Sequence, residues 1–395
     1  MAISMKIEKA LEEASWIRRM FEEGNRLKQI YGSEKVFDFT LGNPIVEPPG
    51  EFFKELRRVA DNPIPGMCRY MPNMGSGEAR KSIASMLSEE TGLSFTEQQI
   101  IMTTGAAGGL NITLKSILDP GDEVIIPSPY FVEYRFYVDN HGGTLKLVET
   151  RDDFSLDLEA IKAAIGKRTK AIIVNSPHNP TGVVYSKESL IQLGEILARK
   201  SGQYGKTICL LCDEPYKKIV YDGLEIPDVF SVYDYCIAIN SYSKDLSIPG
   251  ERIGYVAISP LAEGKEKLAD AMAFSNRTLG FVNAPALMQR LVGKLRDVSV
   301  DISEYQEKRD LLYNALADFG YSMVKPMGAF YLFPRCPIDD DVAFVKALQA
   351  KNILTVPGIG FGRPGHIRIA YCVERWVIED SLDGFRELAI ECGIR

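Results

Sequence analysis

Residues 208–244 read ICLLCDEPYKKIVYDGLEIPDVFSVYDYCIAINSYSK, and two apolar runs within them decide the fold. Ile208 to Cys212 and Cys236 to Ile239 are apolar throughout rather than alternating, the pattern of strands covered on both faces. Each run ends abruptly in polar groups: Asp213-Glu214-Pro215-Tyr216 after the first, Ser241-Tyr242-Ser243-Lys244 shortly after the second. Ligands of an open parallel sheet bind outside the carboxyl ends of its strands, so these polar ends are where chemistry is expected.

Working outward, similar runs recur at Ile100-Ile-Met-Thr-Thr, Glu123-Val-Ile-Ile, Ala171-Ile-Ile-Val-Asn and Gly254-Tyr-Val-Ala-Ile, with helical stretches between them. Such alternation predicts an α/β fold: a large domain with a mostly parallel central sheet flanked by helices. The first thirty residues read as one amphipathic helix, with Ile7, Leu11, Trp16, Ile17, Met20, Phe21 and Leu27 near one stripe. An extended, proline-rich loop follows from Asp38.

After about residue 290 the rhythm changes. A charged helix from Val300 to Phe319 precedes Ala329-Phe-Tyr-Leu-Phe, a helix around Val342 to Lys351, a strand near Ile367-Arg-Ile-Ala and a final helix from Val377. That is a smaller α+β domain. The division expected is residues 1–48 as an N-terminal arm and part of the small domain, 49–290 as the large domain and 291–395 as the small one.

Bulk properties agree. A chain of 395 residues is too long for one ordinary core. A net charge of −7 speaks against a nucleic-acid partner, which needs clustered Lys and Arg. There is no signal-like N-terminus and no apolar run long enough to span a membrane. Seven scattered cysteines argue for a reducing cytoplasm rather than a disulfide framework. Cys209 and Cys212 form a CxxC but lie three apart on a strand, so they point to opposite faces and share no metal. No metal site is expected.

Three other strand ends carry candidate chemistry. Thr103-Thr104-Gly105-Ala106-Ala107-Gly108-Gly109 opens a helix, where free backbone N–H groups at a positive end suit a phosphate. It matches neither GxGxxG nor GxxxxGK[ST], which counts against a dinucleotide or a nucleoside triphosphate. Asn175 leads into Pro177-His178-Asn179-Pro180-Thr181-Gly182, where two prolines fix the backbone around Asn179. Finally, Asp213 follows four apolar residues, and a carboxylate there is costly to bury unless it meets a cation.

Asn179-Pro180-Thr181-Gly182, Asp213-x-x-Tyr216 and Ser241-x-Ser243-Lys244-x7-Arg252-x-Gly254, in this order, resemble the fold type I pyridoxal-phosphate aminotransferases of class I/II, which are aspartate-aminotransferase-like. The intervals of 34 residues from Asn179 to Asp213 and 31 from Asp213 to Lys244 are also similar to that family. The resemblance runs from Gly42 to Arg368. It implies that Lys244 carries pyridoxal 5'-phosphate as a Schiff base and moves the substrate Cα proton. Asp213 would pair with the pyridinium nitrogen, and Tyr216 and Asn179 with the ring hydroxyl. Gly105, Ala106, Ala107, Ser241, Ser243 and Arg252 would hold the phosphate, and Phe131 would stack on the ring. Arg368 would clamp the substrate α-carboxylate, helped by Asn179 and by Gly42 in Leu41-Gly42-Asn43-Pro44. Tyr70 would reach the phosphate of a second subunit, which implies a homodimer with shared active sites.

The chain departs from the family's pattern at Leu246, Pro249 and Gly109, none of which removes a catalytic group. The reaction implied is amino transfer from an L-amino acid to a 2-oxo acid such as 2-oxoglutarate. The same cofactor residues also suit a carbon–sulfur lyase or a decarboxylase. A regulator built on this fold would need a DNA-binding segment for which the chain has no room, and a Rossmann oxidoreductase would need the missing glycine fingerprint. Arg277 lies near where dicarboxylate-specific relatives place a second arginine, about one position out of register, which raises aspartate as a donor.

Overall fold

In the computed structural model, which describes residues 2–12 and 16–394, a seven-stranded sheet forms the centre. Its strands are β1 (Ile100–Thr103), β2 (Glu123–Ser128), β3 (Thr144–Glu149), β4 (Thr169–Asn175), β5 (Cys209–Asp213), β6 (Cys236–Ser241) and β7 (Gly254–Ile258). The spatial order is β1-β7-β6-β5-β4-β2-β3. Every pairing is parallel except those of β7, which runs antiparallel to both β1 and β6. The mostly parallel sheet flanked by helices expected from the apolar runs is therefore present.

Both faces of the sheet are covered, which is why the runs are apolar throughout. Leu210 and Cys212 of β5 join one buried cluster, and Cys209 and Leu211 join the other. The two thiols of the CxxC thus face opposite ways. Cys212 Sγ instead lies 3.6 Å from Cys236 Sγ of the neighbouring strand. Each fully buried Ile or Leu on these strands contributes about 1.5–3 kcal/mol relative to an exposed one. The crossover helices are punctuated locally. The Lys187–Tyr204 helix starts where the Ser186 side chain accepts the Ser189 N–H and stops at Gly205 in the left-handed region, φ 62°.

β3 escaped the sequence reading. It is one of the sheet's two edge strands, with Thr144, Leu147 and Glu149 exposed and Leu147 44% accessible. A search for continuously apolar runs cannot find an edge strand of this kind.

A separate buried cluster gathers Met20, Leu27, Phe39, Tyr305, Leu312, Phe344, Ile369, Phe385 and their neighbours from the two ends of the chain. Its elements include the helices Ser303–Asp318, Asp341–Gln349 and Arg375–Glu391 and the strand Ile367–Ala370, close to expectation. We call it the C-terminal assembly.

The N-terminal reading needs correction. Helices are described at Met5–Glu12 and Trp16–Tyr31. Met20 and Leu27 are buried, but Ile7 and Leu11 are each 51% exposed, so the first part of the stripe covers no core of this chain. That short helix is held by Lys6, which bridges to Asp139 at 2.6 Å. The Ile17 and Phe21 side chains lie outside the described residues. Among the described residues, no helix is long and apolar enough to cross a membrane.

Candidate active site

Because β7 runs against its neighbours, its first residue shares one sheet edge with the last residues of β1, β4, β5 and β6. That edge therefore collects Thr103, Asn175, Asp213, Ser241 and Gly254. A cavity of about 300 Å³ opens over it, closed from above by Leu41, Gly42, Tyr331 and Arg368. Its floor and sides include Ala106, Ala107, Phe131, Asn179, Asp213, Tyr216, Ser241, Ser243, Lys244 and Arg252. Of the predicted site residues, only Gly105 and Tyr70 do not line it.

Asp213 sits in the floor, 5% exposed. Its Oδ2 accepts the Tyr134 hydroxyl at 2.5 Å, while Oδ1 is buried without a partner. Burial pushes the carboxyl up to about 7, against the opposing pull of the Tyr134 hydrogen bond. A half-satisfied buried acid of this kind is stable as an anion only beside a donor or cation from elsewhere. Asn175 Nδ2 donates to the Asp213 carbonyl at 2.8 Å, and Asn175 Oδ1 accepts the Asn179 N–H at 2.7 Å, which ties β4, β5 and the Asn179 loop together.

Lys244 enters from the end of β6. Its Nζ donates to the Gly42 carbonyl at 2.6 Å. Burial brings the ammonium down to about 8; Cys372 opposes this, and Arg252 and Arg368 add to it. A lysine depressed in this way is partly neutral near physiological pH, and only the neutral amine is a nucleophile or base.

Beside it the Gly105–Ile117 helix begins with no side-chain cap, so its first N–H groups stay available. Arg252 lies over that helix start: a Cβ on Gly105 (φ +72°) would fall 2.6 Å from Arg252 Nη2. Among the described residues, the Arg252 guanidinium donates to the backbone carbonyls of Pro249 and Thr104, at 3.0 and 3.3 Å. Ser241 and Ser243 hydroxyls meet at 2.8 Å in the same corner. A phosphate-sized anion matches this set of donors. Gly105, though absent from the lining, is part of that corner.

Arg368 hangs from the strand Ile367–Ala370 of the C-terminal assembly and is 2% exposed. Its Nη1 donates to Asn179 Oδ1 at 3.2 Å and its Nη2 to the Thr40 carbonyl at 2.5 Å, while Nε has no partner. The rings of Tyr331 and Phe361 lie on it, each 4.8 Å from the guanidinium carbon. No carboxylate pairs with it among the described residues, and burial lowers its pKa. A planar cation held in a fixed plane suits a bidentate carboxylate. Phe361 belongs to the Gly358–Phe361 turn, whose Phe361 carbonyl accepts the Tyr130 N–H at 3.0 Å. The Ser128 hydroxyl donates to the next carbonyl, Gly362, at 2.7 Å.

Sequence reasoning missed Tyr134 and Tyr331. Tyr134 lies in the first turn of the Glu133–Asn140 helix, three positions after Phe131, which precedes that helix. Their rings meet edge-on at 5.5 Å. Tyr331 bonds Tyr216 hydroxyl to hydroxyl at 2.7 Å. It also packs so closely on Gly42 that no Cβ fits there. Tyr70 is 90% exposed and lies in a different depression, with Phe281 and Asn283.

An unpaired acid in the floor, a depressed lysine and an anion corner beside it fit pyridoxal phosphate, and the fold and site define the class of pyridoxal-phosphate enzymes with the aminotransferase fold. The family model of class I and II aminotransferases matches residues 34–382. A probable aspartate aminotransferase of Methanocaldococcus jannaschii is 35% identical over 88% of this chain and 92% of its own length. An aspartate aminotransferase of Thermotoga maritima is 32% identical over 89% of this chain and 90% of its own. Among solved structures, an amino transferase of Eubacterium rectale superposes over 100% of both chains with a TM-score of 0.96 and 37% identity. The chain belongs to the class I and II aminotransferases and is a pyridoxal-phosphate-dependent transaminase.

Proposed function

We propose that the chain moves the amino group of an L-amino acid to a 2-oxo acid such as 2-oxoglutarate, with Lys244 bearing the cofactor. The observation that carries this reading is a pair of uncompensated buried charges on opposite walls of one cavity: Asp213 below, Arg368 above. Each lacks a partner of a different sign and shape, one a ring cation and the other a carboxylate.

The bound cofactor supplies an electron sink for the bond being broken. Asp213, whose Oδ1 has no partner among the described residues, would pair with the ring's N–H and keep it protonated. Tyr216 and Asn179 would hydrogen-bond the ring hydroxyl, and Phe131 would stack on the ring. Gly105, Ala106 and Ala107 N–H groups with Ser241, Ser243 and Arg252 hold the phosphate. Arg368 fixes the α-carboxylate, with Asn179 and the Gly42 backbone alongside, and so aims the Cα–H bond. Lys244 Nζ, brought down to about 8 by burial and so partly unprotonated near physiological pH, would move the substrate Cα proton. Tyr70, exposed in the single chain, reaches the phosphate of a second copy in a homodimer. We take residues 49–290 as the cofactor-binding domain, with 1–48 and 291–395 completing the site. The cysteines of the chain, all free, agree with a cytoplasmic location.

Purified protein should be yellow, and borohydride should fix the cofactor on the peptide containing Lys244. Amino acid plus 2-oxoglutarate should yield glutamate. Label on another lysine ends the Lys244 assignment; release of pyruvate and ammonia without amino transfer replaces transamination with a lyase reaction.

A further inference from the structure

Tyr331 has no role in the function proposed above, yet it joins two walls of the cavity. Its strand, Tyr331–Leu332, pairs antiparallel with Ile367–Ala370, with Tyr331 opposite Ala370. Arg368 stands two positions before Ala370, so it shares a face of this small sheet with Tyr331 and lies diagonal to it. That register puts the guanidinium over the Tyr331 ring and leaves the phenol end to reach Tyr216, oxygen to oxygen at 2.7 Å. The two rings meet edge-on, 5.7 Å apart with 84° between their planes. The Gly42 backbone packs on the same Tyr331 hydroxyl and leaves no room for a Cβ. Both phenols are buried in the single chain, so the pair is complete without a second copy.

Either oxygen could supply the proton between them, and counting donors decides which. Each phenol has one proton to give. If Tyr216 gives its proton to Tyr331, the Tyr331 proton has no acceptor among the described residues, and Tyr216 has none left for a ligand. If Tyr331 gives its proton to Tyr216, both are used: Tyr331 on Tyr216, and Tyr216 on the cofactor's ring oxygen. Buried hydroxyls favour the arrangement that leaves none unpaired. Charge points the same way. A cation against the Tyr331 ring makes its O–H the better donor. Burial, offset by Arg368, raises that phenol to about 12, whereas burial and the neighbouring Tyr331 hold Tyr216 well above the ordinary value. A hydroxyl that accepts a hydrogen bond also donates more strongly.

We infer that Tyr331 is a positioning residue that acts through Tyr216: its phenol donates to Tyr216 Oη and so aims the Tyr216 O–H at the oxygen of the cofactor's ring hydroxyl. The inference rests on the function proposed above, which sets Tyr216 on that hydroxyl.

The test follows the proton-linked colour change of the bound cofactor by absorbance as pH is varied, in the full chain with no substrate. A donor on the ring oxygen favours the form in which that oxygen bears charge, so weakening the donor moves the midpoint to higher pH. Tyr331→Phe keeps the ring under Arg368 and removes only the hydroxyl. It should raise the midpoint by about half a pH unit, the scale of cooperativity between linked hydrogen bonds. Tyr216→Phe loses the donor itself and should raise it by about one to two units. In the Tyr216→Phe background, Tyr331→Phe should add nothing, since its partner is gone. An unmoved midpoint in Tyr331→Phe overturns the inference, and so does a lowered one, which would mean that Tyr216 had been donating to Tyr331. An equal shift in the Tyr216→Phe background, or failure of Tyr331→Phe to take up cofactor, overturns it too, because the hydroxyl would then act apart from Tyr216. A colourless wild type ends the transaminase reading and this inference together; a coloured wild type with an unmoved variant ends this inference alone.

Discussion

The floor and the roof of the cavity solve opposite electrostatic problems. The floor is built from strand ends of the sheet and buries an acid, Asp213, with one oxygen unpaired. The roof comes from the C-terminal assembly and the Leu41–Gly42 segment, and it buries a cation, Arg368, with its Nε unpaired. The two do not neutralise each other. Tyr134 engages the first, and Asn179 and Thr40 engage the second. Two buried charges left incomplete cost stability that a mutual ion pair would recover, and that cost is tolerated where ligands complete each charge separately. The floor thus suits a positively charged group and the roof a negatively charged one.

The sharpest way to break this division is to remove the roof's charge. Arg368→Ala should lower kcat/KM for amino acids by about 10² to 10³-fold, the scale expected when one partner of a buried charged pair is truncated. Cofactor loading, measured by absorbance per chain, should stay close to full. Equal loss of loading would mean that roof and floor are not separate.

The floor makes a smaller prediction, in stability. An unfolded aspartate releases its proton near 3.9, whereas Asp213 in the folded chain retains it up to about 7. The folded state binds the extra proton between those values, so stability falls as pH rises through that window and stays reduced above it. Glu214, also raised to about 7 by burial, acts in the same direction. Asp213→Asn should remove its share, so the cofactor-free variant should gain on wild type by a few kcal/mol between pH 4 and 7, on the order implied by three pH units. Urea midpoints at pH 5 and pH 8 measure this; parallel curves for the two proteins would show that Asp213 is satisfied by groups of the chain itself.

The smallest effect belongs to Tyr134. Its hydrogen bond opposes the upward push of burial on Asp213, so Tyr134→Phe should move the acidic limb of the kcat/KM profile to higher pH by less than about one unit. An unshifted limb would remove Asp213 from the groups that set it.

How much was readable in advance follows the same division. The strands β4, β5, β6 and β7 were legible because burial on both faces leaves continuous apolar runs, and Asp213 and Lys244 were legible as polar breaks at their ends. β3 was not, since most of its residues stay at least partly accessible and polar and apolar residues mix along it, unlike β1 at the other edge, which is buried throughout. In the roof, Arg368 stood out only as a cation among apolar neighbours, and its role came from family resemblance. Tyr331 gave no local cue at all, because its bond to Tyr216 joins residues 115 positions apart. The exposed face of the Met5–Glu12 helix shows the converse: a periodic stripe predicts a helix but not what covers it.

The turn at Gly358–Phe361 links the two halves mechanically. Its phenyl ring rests on the Arg368 guanidinium, while two successive carbonyls, Phe361 and Gly362, are held by the segment that leads to Phe131. Arg363 then anchors the turn to Glu149 and Asp152 beside the outer strand, each at 3.1 Å. Under the roles proposed above, a tilt of Arg368 as a carboxylate arrives would be shared with the segment that carries Phe131. The turn behaves as a lever with its load at one end and its read-out at the other, and the colour of the bound cofactor should register which acid occupies the roof.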